Sequence, residues 1–126
     1  MIKLYLLVAI GGAAGACLRL ALSDWLNRVT QHHYALGTLG ANILGSFLIG
    51  IAYVLIIEKG QLPADTKPLI ITGFLGALTT FSTFSLDTLM HIHNGEWQHA
   101  ITYTALSVVL CLMSTFLAVE LVRSFT

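Results

Sequence analysis

Apolar residues in this chain gather into four long runs joined by short polar connections: about Leu4 to Leu22, Leu36 to Ile57, Leu69 to Met90 and Ala100 to Val122. Each run reaches the roughly 20 residues that a helix needs to cross the hydrocarbon core of a bilayer. Pro63 and Pro68 flank the second connection, where a residue that breaks helices is expected. The pattern predicts an all-α membrane protein, one four-helix transmembrane domain over residues 1–126. Met1-Ile2-Lys3, an apolar run and the small residues Ala13-Ala14-Gly15-Ala16 together resemble a signal peptide with its cleavage site. Three further spans follow, however, and the segment is read as the first helix.

The third run differs from the other three. Between Gly76 and Ser85, five of ten residues carry hydroxyls: Thr79, Thr80, Ser82, Thr83 and Ser85. Hydroxyls are costly in hydrocarbon unless each finds a partner. Each could bond the carbonyl one turn back and pack a helix–helix contact. One or two would fit that reading. Five of them beside Phe81 and Phe84, which share a helix face at i, i+3, point to a path for an ion or a polar solute. Gly73 and Gly76 precede the run and weaken the helix there. A break would free backbone carbonyls, which persist at membrane depth only where a cavity, a partner or an ion satisfies them. Carbonyl oxygens suit a hard cation such as sodium.

Three more polar residues lie in or near spans. Asn42 is the amide set deep in the second run, and tying two helices together is the commoner use of such a group. Arg19 either snorkels to the interface as an anchor or draws anions to a pore mouth. Asp87 follows the hydroxyl run as a solvated anchor or as a gate. Small residues four apart, Gly11 with Gly15, Gly12 with Ala16, Ala41 with Gly45 and Ser46 with Gly50, predict close helix approach.

Composition supports the membrane class. The chain is 56% hydrophobic and 10% charged, too little charge to solvate a soluble domain. Six basic and six acidic residues give a net charge of zero, so nucleic acid is not an expected partner. Lys3, Lys59, Lys67 and Arg123 would lie on one side of the membrane, opposite Arg19 and Arg28. That weak bias favours cytoplasmic termini, yet is small enough for insertion in both orientations. Cys17 and Cys111 fall inside spans and read as small buried residues without a disulfide. Trp25 and Trp97 stand where an interfacial aromatic belt would place them. His32-His33 and His91, His93 and His99 fall in connections and read as solvated. His-x-His spacing suits a metal, but no carboxylate or cysteine completes a set at useful sequence spacing. No Ser-His-Asp, paired-carboxylate, P-loop or Gly-rich nucleotide pattern occurs, so catalysis has no support.

The run Gly76-Ala77-Leu78-Thr79-Thr80-Phe81-Ser82-Thr83-Phe84-Ser85 resembles the signature of the Fluc (CrcB) fluoride channels, and the resemblance extends along essentially the whole chain. Gly11-Gly12, Gly15 and Arg19 look like that family's first helix. Gly37-Thr38-Leu39 and Asn42 look like its second, and Ile71-Thr72-Gly73-Phe74 leads into the signature as it does there. The resemblance implies a channel that passively exports fluoride across a bacterial inner membrane. It also implies an antiparallel, dual-topology homodimer with two pores, a third helix broken near mid-membrane and a central structural sodium ion. On the matching positions, Phe81 and Phe84 would line the fluoride path, Asn42 would be the pore asparagine, and Ser82, Thr83 and Ser85 the hydroxyl track. The carbonyls of Gly76 and Thr79 from both chains would hold the sodium. Arg19 would belong to the vestibule, and Asp87 stands where relatives often carry glutamate. Thr38, Tyr103 and Ser107 would be further polar contributors to the pore or vestibule. The fourth helix departs from the family pattern, with Leu110-Cys111 in place of Gly-Ser.

The chemistry agrees with the resemblance. Fluoride is small and strongly hydrated, so a pore must replace its water with hydrogen-bond donors yet still release the ion. Asn42 and the hydroxyls are donors without a fixed charge, and phenylalanine ring edges carry the positive part of the aromatic quadrupole. Two other classes fit four short spans. A small multidrug-type proton antiporter would need a carboxylate in its first helix, where this chain has Arg19 and no acid before Asp24. A non-transporting scaffold would leave the hydroxyls and phenylalanines without a use.

Overall fold

The computed structural model describes residues 1–30 and 35–126, so His32 and His33 lie outside the described residues. Among the described residues every regular element is helical. The elements are α1 (Ile2–Thr30), α2 (Ala35–Glu58, widening into a π-helix over Tyr53–Glu58), α3 (68–78, π-helical over Pro68–Leu75 and α-helical over Gly76–Leu78), α4 (Phe81–His93) and α5 (Trp97–Phe125). Among the described residues, four helical stretches are long and apolar enough to cross a membrane: α1, α2, the pair α3 and α4 taken together, and α5. The helices outrun the apolar runs. α1 continues past Leu22 to Thr30 because residues 23–30 hold no glycine or proline to stop it. Apolarity marks where hydrocarbon would end, and backbone helicity does not have to end there.

α1 lies along α3, and α2 lies along α5. Small residues set both contacts. A Cβ on Gly11 would strike the Leu69 carbonyl, one on Gly15 the Phe74 carbonyl, and one on Gly73 would stand 2.7 Å from the Val8 oxygen. Backbones this close are what small residues four apart allow. On the other side, a Cβ on Gly50 would come within 2.7 Å of the Thr115 oxygen. There Thr115 Oγ1 donates to the Ser46 carbonyl at 2.9 Å and Ser114 Oγ to the Ile43 carbonyl at 3.1 Å. Ala52, Ile56, Leu75 and Leu78 form the buried core, while Leu4, Ile10, Leu20, Leu106, Leu112 and Phe116 on α1 and α5 face outward. Cys17 also lies on the outward face rather than buried, and Cys111 is half-buried.

Exposed ion pairs gather at one end of the bundle. Lys3 pairs with Asp65 at 2.5 Å, and Arg123 with Glu58 at 2.8 Å and Glu120 at 3.0 Å. They bring the N-terminus, the second connection and the C-terminus to the same end. Exposed pairs of this kind contribute little stability.

Candidate functional site

Between α3 and α4 the backbone leaves the helical region. Thr79 (φ −89°, ψ 153°) and Thr80 (φ −151°, ψ 120°) are extended, and α4 restarts at Phe81. Gly73 and Gly76 themselves stay helical, and Gly73 is buried against α1. A hydroxyl and an amide hold the extended residues. Thr80 caps α4, its Oγ1 accepting from the Thr83 N–H at 3.1 Å and lying 3.2 Å from the hydroxyls of Ser82 and Thr83. Asn42 grips the Thr80 backbone twice, Nδ2 donating to its carbonyl at 3.0 Å and Oδ1 accepting from its N–H at 2.8 Å.

This grip changes the state of two other groups. In a continuous helix the amides of Thr80 and Thr83 would bond the carbonyls of Gly76 and Thr79. Here Asn42 Oδ1 and Thr80 Oγ1 engage those amides, so the two carbonyls lose their ordinary partners. The hydroxyl run therefore divides in two. Thr79 Oγ1 and Ser85 Oγ donate one turn back, to the Leu75 and Phe81 carbonyls at 3.0 and 2.9 Å, as a helix hydroxyl ordinarily does. Thr80, Ser82 and Thr83 bond among themselves around the extended residues.

A groove of about 400 Å³ opens beside the extended residues, walled by Asn42 and Gly45 of α2, Thr79, Thr80, Phe81, Phe84 and, across it, Ser107 of α5. The Phe81 and Phe84 rings lie 5.3 Å apart and tilt by 52°. Phe81 is 77% exposed, whereas Phe84 is buried and packs on Tyr103 at 5.4 Å. The buried Ser107 hydroxyl has no hydrogen-bond partner among the described residues. Asn42 spends one amide hydrogen on Thr80, which leaves its second for a ligand in the groove. A second cavity, also about 400 Å³, shares Thr80 and Thr83 with Ala16, Arg19, Ser23 and Thr38.

The sequence-predicted residues thus separate into groups. Asn42, Thr79, Phe81, Phe84 and Ser107 meet at the groove, and Arg19, Thr38 and Thr83 at the second cavity. Ser82 and Ser85 are exposed and line neither, and Gly76 is exposed on α3. Asp87 is buried rather than solvated, accepting from the buried Tyr103 hydroxyl at 3.3 Å. Thr80, which walls both cavities, is the residue that sequence pattern alone does not single out. Its signal is positional, a threonine immediately before the Phe81 helix start, three residues ahead of Thr83.

Four apolar spans and a polar junction within the third define a small helical membrane protein. A profile of the family described as CrcB-like protein, Camphor Resistance (CrcB), matches residues 6–119, and the chain belongs to that family. Its relatives include the fluoride-specific ion channel FluC of Aeromonas salmonicida, 42% identical over 120 residues that cover 95% of this chain and 96% of that one. The protein of the same name in Pseudomonas fluorescens is 42% identical over 123 residues, 98% of this chain and 99% of its own. That of Nitratiruptor sp. is 46% identical over 116 residues, 92% and 89%.

Proposed function

We propose that this chain is a fluoride-selective channel that exports fluoride passively from the cytoplasm, lowering its toxicity, in a bacterial inner membrane. The observation that carries the reading is its likeness, over at least 92% of its length, to relatives named fluoride-specific ion channels. The groove supports it chemically, because its polar groups are neutral. The second Asn42 amide hydrogen and the Ser107 hydroxyl, which has no partner among the described residues, can replace water around a small anion without trapping it. The tilted Phe81 and Phe84 rings can turn positive edges toward that anion. Arg19, with Thr38 and Thr83, would gather anions in the second cavity before they pass Thr80.

The working unit is an antiparallel, dual-topology homodimer with two pores. Ser82, Ser85 and Phe81 are exposed on the single chain, and in that unit they would complete each pore against the partner. A structural sodium ion at the centre fits the residues present. The Gly76 and Thr79 carbonyls have lost their helical donors, and neutral oxygens suit a hard monovalent cation. The ion would offset the cost of unsatisfied backbone at membrane depth, near the interruption of the third span.

Proteoliposomes loaded with fluoride and chloride test the function. Fluoride should leave rapidly once charge is balanced by a potassium ionophore, with chloride retained and no dependence on a proton or sodium gradient. Efflux that requires a proton gradient, or no efflux at all, would overturn the reading.

A further inference from the structure

Away from the groove, the turn between α4 and α5 gathers two imidazoles and a carboxylate. His91, Glu96 and His99 each offer a ligand atom, all within 4.8 Å of one another. His91 Nδ1 lies 2.7 Å from Glu96 Oε2, and the His91 and His99 rings pack with centroids 5.9 Å apart. This corrects the expectation that no carboxylate joins these histidines and that His91 is solvated, whereas His93 and His99 are exposed as expected. The His91 side chain is only 13% exposed, and Glu96 is the missing carboxylate. Sequence spacing hides the set because the turn folds back on itself. Gly95 takes φ 76°, the Glu96 N–H donates to the His91 carbonyl at 2.8 Å, and the Ala100 N–H to the Glu96 carbonyl at 3.0 Å. Backbone bonds on both sides of Glu96 therefore fix the end of α4 against the start of α5.

We propose that His91, Glu96 and His99 form a binding site for a divalent first-row transition ion of the zinc class. Two imidazoles and one carboxylate are the protein ligands of open zinc sites, whereas magnesium and calcium take oxygen alone. Zinc ligands about 2.0–2.2 Å from the metal stand roughly 3.4 Å from one another in a tetrahedron. The present separations, 2.7 Å between His91 Nδ1 and Glu96 Oε2 and within 4.8 Å for the whole set, lie on either side of that value, and the fourth position would be left for water. A simple His–Glu ion pair accounts for the contact between His91 and Glu96 but not for the convergence of His99. Occupancy would pin α5 to α4 beside Tyr103, whose ring lies 6.1 Å from His91 and 5.4 Å from Phe84. A continuous series of rings then joins the metal to the groove.

The site is tested on the full chain, purified without a polyhistidine tag, by zinc titration against a chromogenic chelator. The expected result is saturable binding of one Zn²⁺ per chain, weakened roughly tenfold or more in both His99→Ala and Glu96→Gln. His93→Ala, which removes a histidine outside the cluster, should keep the wild-type affinity. Zinc should raise the Tm of the wild type and not that of Glu96→Gln, which preserves side-chain size. Co²⁺ should give visible ligand-field absorption that His99→Ala loses. Absence of saturable binding, wild-type affinity in both ligand variants, or loss of binding in His93→Ala instead would overturn the proposal.

Discussion

At the scale of single residues, the bond pair between Asn42 and Thr80 shapes the groove. The amide donates to the Thr80 carbonyl and accepts from its N–H at once, and a carboxylate of the same size can make only the second of these bonds. Asn42→Asp would keep an acceptor for the Thr80 N–H but set its second oxygen against the Thr80 carbonyl, and would add a negative charge to the groove. Fluoride flux in proteoliposomes should fall to background, and flux equal to wild type would remove Asn42 from the path. Ser107 separates function from stability. Its buried hydroxyl lacks a partner among the described residues, and such a group costs about 1–3 kcal/mol of desolvation. Ser107→Ala should therefore leave Tm unchanged or raise it while lowering flux. A drop in both would show that the hydroxyl serves packing.

At the scale of elements, the four spans were legible because length and apolarity are local properties of sequence. Their ends were not, since residues 23–30 continue α1 in the absence of a stop signal. The crowding of hydroxyls in the third span was also legible. Which of them bond one turn back and which surround Thr80 was not, because Asn42 comes from 38 residues away. Glu96 escaped for a related reason, its backbone being folded toward His91 by the turn at Gly95. The third span also carries the sodium proposal. A Cβ on Gly76 meets nothing closer than the Ile71 oxygen at 3.6 Å, so the single chain tolerates a side chain there. Gly76→Val should accordingly leave the protomer folded but lower dimer stability and flux together, as followed by subunit crosslinking and efflux. A fully stable, fully active dimer would argue against ligation at that position.

At the scale of the whole molecule, the groove lies open on one chain, with Phe81 77% exposed at its edge. A dimer of antiparallel copies would close it, and the weak Lys and Arg bias between the two sides would permit both orientations. A C-terminal tag in active vesicles should then be reachable from either side of the membrane. Finding every tag on one side would rule out dual topology. In the proposed channel, fluoride passes the phenylalanine edges in this groove. Phe81→Ile tests it most directly, because so exposed a ring contributes little to folding of the chain, and an aliphatic replacement has no positive edge. In proteoliposomes matched to wild type for dimer content, Phe81→Ile should lose most fluoride efflux. Efflux at the wild-type rate would contradict it.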